Sequence, residues 1–337
     1  MCDNAAGAAY RAIPIHEVDG FLIGHSTNRE AGTGCTVIVA PEGAAAGVDV
    51  RGGGPASRET DLLRPENTVQ EIHAVCLSGG SAFGLEAASG VARELEARGI
   101  GLDTGPALVP IVCSSCIFDL AFGDASVRPG VEDGRRATAA AFEGAGSPVE
   151  EGTVGAGTGA TVGKLNGPEC AMKGGLGAQA IALGDIKVGA VAVVNACGNV
   201  VDPATLSPIA GMRTSPESRE IADMEEAMLE RGADVRMPLD RTNTTISCII
   251  TNARLTKAQA TKVAQMAADA YAHAIRPTHT TNDGDTIYVM ASGSLGDVEV
   301  PLDLLGLAAT RALERAICAG CATADGILGL PSAKNRI

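Results

Sequence analysis

The 337-residue sequence contains no tryptophan, and its aromatics amount to five phenylalanines and three tyrosines. That scarcity removes the stacking platforms on which single-stranded nucleic acids are held. Basic charge is short as well: 26 Lys and Arg stand against 40 Asp and Glu, leaving −14, so there is no cationic track for a phosphate backbone. No run approaches the length of charge-free apolar sequence that a bilayer-spanning helix needs. The opening MCDNAAGAAYRAIPIHEVDG has neither a basic n-region nor an apolar h-region. A soluble, cytoplasmic chain with neither nucleic acid nor membrane as partner is expected.

Hydrophobic residues make up 45% against 20% charged, and there are 43 glycines. This balance excludes disorder and points to tight Ala/Gly-rich layers built on close backbone approach. The ten cysteines fall below the density of a disulfide scaffold and are expected to be reduced, buried small hydrophobes. The length suits one large domain or two modest ones.

The runs FLIGHS, CTVIVA and AGVDVRGGG are rich in Val and Ile and separated by turn residues, which predicts a meander of strands. After Cys76, a Gly-rich turn enters a helical pattern with Leu85, Ala88, Val91, Ala92 and Leu95 at three-and-four spacing, closed by Gly99. VPIVCSSCIFDL and KVGAVAVVN read as buried strands, with the Gly/Thr-rich EGTVGAGTGATVGK between them. Residues 203 to 243 turn polar and acidic and read as a mobile linker with at most one exposed helix. Beyond it follow the β-branched run TTISCIITNARL, a single long helix TKAQATKVAQMAADAYAHAI, the loop RPTHTTNDGD, the strand TIYVMASG and a last helix from about Leu302 to Ala324. Blocks of strands with helices grouped between and after them indicate α+β layering.

Several motifs fail on context. Gly155 to Ala160 fits a loose G-x-G-x-x-A pattern, but no strand immediately precedes it and no clear helix follows. Gly163-Lys164 resembles the end of a P-loop, yet Thr158 stands where the first glycine belongs and Leu165 where a magnesium-holding hydroxyl belongs. The pairs Cys113/Cys116 and Cys318/Cys321 lie in a strand and a helix, without the knuckle turns of a structural zinc site. The five histidines show no H-x-H or H-x-x-x-H spacing. Neither metal nor organic cofactor is expected.

The acidic stretch changes abruptly into the apolar strand at Arg241-Thr242-Asn243-Thr244-Thr245-Ile246-Ser247, which sets hydroxyls at the threshold of a buried element. Downstream, Asn282-Asp283-Gly284-Asp285-Thr286 places two carboxylates around a glycine just before another strand. Such a turn can aim both at one neighbour, although Asn-Asp-Gly is also ordinary turn chemistry.

NTTISCIITNARL and HTTNDGDTIYV, with CLSGGSAFGLEAASGV, AGTGATVGK and AVAVVN upstream in the same order, resemble the P1-family peptidases. This is the aminopeptidase/D-Ala-esterase/amidase group that includes the 6-aminohexanoate-oligomer hydrolases, and the NTTIS and DGD segments are most similar to the latter branch. The resemblance spans about Phe21 to Ala324. It implies an αββα sandwich and a precursor that cuts itself between Asn243 and Thr244, giving 1–243 and 244–337. It also implies a homo-oligomer of cleaved protomers. Thr244 is then the nucleophile, with Lys164, Asn195, Asp283 and Asp285 in the other functional positions.

The residue types suit that chemistry. An alcohol is a weak nucleophile at neutral pH, and scission of its own backbone liberates an α-amine of reference pKa about 7.7 to 8.0 to serve as its base. The Asn195 amide suits an oxyanion. The Lys164 cation favours the neutral amine, and Asp283 and Asp285 suit orienting the amine and the lysine. The sequence departs from the family at two pocket positions: Phe118 replaces the usual tyrosine, and Cys116 replaces the glutamate that anchors a substrate ammonium in the aminopeptidase branch. A pocket without that carboxylate favours an internal amide or an uncharged acyl group. The expected activity is hydrolysis of small amides or short peptides. The alternatives are an acyltransferase of the ornithine-acetyltransferase type and a catalytically impaired binding or shell protein of the same fold.

Overall fold

The computed structural model describes residues 10–232 and 243–336. Ten strands form its main sheet: β1 (Arg11–Ile13), β2 (Leu22–Asn28), β3 (Thr33–Val50), β4 (Ser57–Arg58), β5 (Glu71–Ser78), β6 (Val112–Cys116), β7 (Gly175–Leu183), β8 (Ile186–Asn195), β9 (Thr244–Thr251) and β10 (Thr286–Ala291). Their order is β1-β7-β8-β9-β10-β3-β5-β6-β4, with β2 also paired to β3. The helices are α1 (Ala87–Ala97), α2 (Val131–Glu143), α3 (Met224–Gly232), α4 (Lys257–Ala267), α5 (Asp269–Ala274) and α6 (Leu302–Ala322).

The long strand β3 turns this sheet into two layers. Its first half pairs with β2 and β5, its second half pairs with β10, and the register slips between Val39 and Ala44. CTVIVA and AGVDV are therefore one strand interrupted by an irregularity at Pro41-Glu42-Gly43, where the sequence reading placed a turn. Pro and Gly inside a strand mark bulges as readily as ends.

Three apolar clusters fill the spaces between four layers. One lies under α4, α5 and α6, against β7 to β10. A second, with Ile38, Val75, Val191, Ile246 and Tyr288, lies between the two sheet layers. A third packs α1 and α2 on β2, β3 and β5. The fold is the αββα sandwich that the sequence implied. Thin layers follow from the small packing faces: Ala308, Ala309, Ala312 and Ala316 all lie buried on α6.

Two further expectations need correction. The long helix after Leu255 is two, because the chain breaks step at Ala268 between α4 and α5; Thr256 caps the first through its hydroxyl and Gln259 returns the bond. Residues 203–232 are a folded element rather than a mobile linker. They hold the short strand Pro208–Ala210 and α3, and Met212 and Met224 are buried against Cys197. An acidic composition concealed those few buried methionines. The rest of that stretch up to Thr242 lies outside the described residues.

Candidate active site

Three neighbouring strands, β8, β9 and β10, have their ends together at one end of the main sheet. Asn195 closes β8 and stands directly across from Thr244, which opens the antiparallel β9. The parallel β10 begins at Thr286, opposite Ile246, so the Asp283-Gly284-Asp285 turn arrives beside Thr244. Register therefore assembles the nucleophile candidate, the amide and both carboxylates from positions far apart in the chain.

The turn is seated by backbone. Gly54 N–H donates to the Asp283 carbonyl at 2.8 Å and Arg51 N–H to the Asp285 carbonyl at 3.0 Å. A side chain at Gly52 would begin 2.2 Å from the Asp283 carbonyl oxygen, so the glycine run after β3 is required by close approach.

Thr244 is buried, at 4% exposure, and its hydroxyl donates to the carbonyl oxygen of Asn243. The same oxygen accepts the Gly284 N–H at 3.3 Å. Thr245 N–H donates to Asp285 Oδ1 at 2.7 Å, and Asp285 Oδ2 accepts from His279 N–H at 3.1 Å, the Thr278 hydroxyl at 3.3 Å and, at 2.8 Å, lies against His279 Nδ1. Asp283 Oδ2 accepts the Thr280 N–H at 2.6 Å. Burial, and after it the neighbouring Asp285, pushes the Asp283 carboxyl above its ordinary range.

On the other side, Lys164 Nζ donates to Asn195 Oδ1 at 2.8 Å and to the Asn195 carbonyl at 3.1 Å. Asn195 Oδ1 also accepts Thr161 N–H at 3.0 Å, and its Nδ2 donates to the Phe118 carbonyl at 3.0 Å. Burial lowers the Lys164 ammonium to about 7, against the opposing pull of Cys197, Asp283 and Asp119. A buried lysine shifted toward neutrality, with the Asp283 and Asp119 carboxylates acting on it, has the electrostatics of an acid–base site.

A cavity of about 280 Å³ adjoins this group, touching it at Thr161, Lys164, Asn243 and Thr280. Phe118, Phe122, Leu165, Pro168 and Met228 give it an apolar wall, while Lys164, Asn243 and Asn282 face it from the polar end. Cys116 does not line it: that side chain is buried at the end of β6, its thiol near Ser78. On a continuing strand, residues two apart would share a face, but β6 ends at Cys116, and Phe118 beyond it leaves that alternation. Phe118 faces the cavity, and it reaches the site chemistry through its carbonyl.

The sequence reading missed the Gly284 and Thr161 amides, the His279 contact and Tyr271. The Tyr271 hydroxyl donates to the Thr245 carbonyl at 3.1 Å, and its ring stacks on His279 with centroids 5.4 Å apart. Backbone donors leave no residue-type signal; His279 stood inside HTTNDGD and lacked only a partner. Among the described residues no group of three or more His, Cys, Asp or Glu is placed to hold a metal ion, and no helix is long and apolar enough to cross a membrane.

Comparison with known proteins gives the family and the fold. An uncharacterized aminopeptidase of Mycobacterium tuberculosis is 40% identical, over 94% of this chain and 96% of that protein. A 6-aminohexanoate-oligomer endohydrolase of Paenarthrobacter ureafaciens is 33% identical over 82% of this chain and 74% of its own length. Among solved structures, the L-aminopeptidase D-Ala-esterase/amidase of Ochrobactrum anthropi, described as a variant of the Ntn hydrolase fold, superposes with a TM-score of 0.68 at 20% identity, covering 96% of this chain and 92% of that one. At that identity the superposition speaks for the fold alone. The family model for Peptidase family S58 matches residues 14–334, and the chain therefore belongs to that family, as a hydrolase acting on peptide or amide bonds.

Proposed function

We propose that the chain cuts itself between Asn243 and Thr244, and that the released N-terminal Thr244 is the nucleophile of a small-amide or short-peptide hydrolase. The observation that carries this reading is the pairing at the bond itself: the Thr244 hydroxyl rests against the Asn243 carbonyl, whose oxygen already receives the Gly284 N–H at 3.3 Å.

In the self-cleavage step Thr244 Oγ1 bonds to the Asn243 carbonyl carbon. The carbon–nitrogen bond breaks, and the hydroxyl proton passes to the departing amine. Water then opens the ester, leaving a carboxylate on Asn243 and a free amine and hydroxyl on Thr244. Gly284 N–H holds the developing oxyanion. In turnover, the same hydroxyl attacks a substrate carbonyl while the α-amine takes its proton and delivers it to the leaving group; water releases the acyl group and restores the hydroxyl. Lys164 lies on the opposite side with its proton balanced near pH 7, where its charge favours the neutral amine. Asp285 fixes the strand immediately after the nucleophile through Thr245 N–H.

The pieces 1–243 and 244–337 remain one body in this reading, because every residue of β9 is buried between β8 and β10. A cytoplasmic homo-oligomer of cleaved protomers belongs to the same reading, checked by fractionation and by light scattering. Mass spectrometry and N-terminal sequencing test its centre: the 33.9 kDa chain divides 243 to 94 residues, with the small fragment beginning Thr-Thr-Ile-Ser. Active material consisting wholly of intact chain rules the proposal out. Assays with water alone and with an added amine acceptor then separate hydrolysis from acyl transfer.

A further inference from the structure

Two buried charges outside the proposed chemistry stand at the Gly/Thr-rich loop, one bonded to it and one close against it. Lys173 is fully buried, and its Nζ donates to the carbonyls of Ala160 at 2.6 Å, Thr158 at 2.8 Å and Gly157 at 3.4 Å. Three acceptors use all three hydrogens of an ammonium. Asp119 is 4% exposed; its Oδ2 accepts from the Thr33 hydroxyl at 2.7 Å and its Oδ1 from Gly80 N–H at 2.6 Å. A side chain at Gly159 would start 2.6 Å from Asp119 Oδ2, so the carboxylate presses on the loop where Lys173 holds it.

The loop leads straight into the site. Lys173 pairs across a two-stranded ribbon with Thr161, whose N–H donates to Asn195 Oδ1. Three residues on stands Lys164, its own N–H bonded to the Cys197 carbonyl at 3.2 Å. Lys173 Nζ also lies 5.0 Å from the ring centroid of Phe122, a wall of the cavity. Burying a lone lysine is costly; this one is matched by three carbonyls, an aromatic face and an opposite charge nearby.

We infer that Lys173 and Asp119 are positioning residues, a pair of opposed charges that clamps residues 157–160 and thereby sets the place and the charge of Lys164 beside Asn195. The inference rests on the reading of Lys164 and Asn195 as site residues. It has a consequence that packing alone lacks. Lys173 and Lys164 repel each other, whereas Asp119 attracts both. Removing the two clamp charges in turn therefore moves the Lys164 titration in opposite directions. The other groups facing Lys164 are Cys197 and Asp283, and those facing Lys173 are Cys321 and Arg29; all are left in place.

The test is a pH titration of the full chain carrying 13Cε-lysine. The sequence has only six lysines, and a Lys164→Met spectrum assigns the signal. Lys173→Met is expected to raise the Lys164 midpoint and Asp119→Asn to lower it, each by several tenths of a pH unit or more. Each variant also slows hydrolysis at least tenfold, chiefly in kcat. Should Lys173→Met fail to fold, Asp119→Asn decides alone. A Lys164 midpoint that stays put, or moves the same way in both variants, overturns the clamp. A chain that never splits but shows the opposed shifts keeps the clamp and removes Thr244 from the chemistry.

Discussion

The two walls of the site are built by different physics. The wall of strand ends, with Thr244, Gly284 and Asp285, is assembled by ladder register, and its contacts are backbone amides and carboxylates seated on backbone. The loop wall, with Thr161 and Lys164 held against the side chain of Asn195 at the end of β8, has little secondary structure of its own beyond the short strand Thr161–Val162 and depends on buried polar side chains. A ladder tolerates exchange of side chains but not of register. A buried polar network tolerates neither loss of a partner nor a change of charge.

Substitutions that break the comparison at its strongest point come first. On the proposed mechanism, Thr244→Ala is expected to leave a single intact chain by mass spectrometry and to abolish turnover, while Thr244→Ser is expected to keep both processing and turnover. Asp285→Ala strips Thr245 N–H of its acceptor and costs about 1 to 3 kcal/mol at the strand start. We expect processing slowed by about a hundredfold, read from the decay of intact chain over time. A rate within threefold of the parent would show that register alone suffices on that wall.

Gly284→Ala sharpens the contrast with a smaller effect. The added methyl carbon would lie 2.8 Å from Thr244 Oγ1 and 3.1 Å from the Gly54 carbonyl oxygen. Processing should slow by about tenfold, the equivalent of about 1.4 kcal/mol, with thermal unfolding little changed, because the crowding falls on the Thr244 hydroxyl.

The loop wall answers to pH. Burial lowers the Lys173 ammonium from 10.5 to about 7, so between those values the unfolded chain binds the proton that the folded chain sheds. Stability contributed by this group therefore rises with pH across that window, by up to about 1.4 kcal/mol per unit. Lys164, lowered to the same range, adds a slope of the same sign, so denaturant melts of the parent at pH 7 and 9 should show both contributions and Lys173→Met should lose about half of the rise. The smallest effect belongs to Phe118→Tyr. Since Asn195 is held by the Phe118 carbonyl, processing should stay within about threefold, and only the substrate profile, read as kcat/KM across amides, should move.

Much of the strand-end wall was legible. NTTIS and NDGD each combine turn or hydroxyl residues with the start of an apolar strand, and the resemblance carried Thr244, Asn195, Lys164, Asp283 and Asp285 to one place. Cys116 and Phe118 could not be separated as pocket residues without the backbone, because two positions apart near a strand end leaves facing undecided. The folded 203–232 segment was hidden by its acidic surface, and the long β3 by a Pro-Glu-Gly bulge that reads as a turn. Lys173 and Asp119 gave no signal at all, since a lone lysine or aspartate in sequence is ordinarily solvated.

The sequence by itself determined the layered α+β class, because periodicity is a local pattern, and through the resemblance of its motifs it pointed to the family and to the residues of the candidate site. Only the tertiary structure decided which amide meets the Asn243 carbonyl, which residues wall the cavity and where the two buried charges sit. Those are matters of register and of desolvated electrostatics, and both arise between segments far apart in the chain.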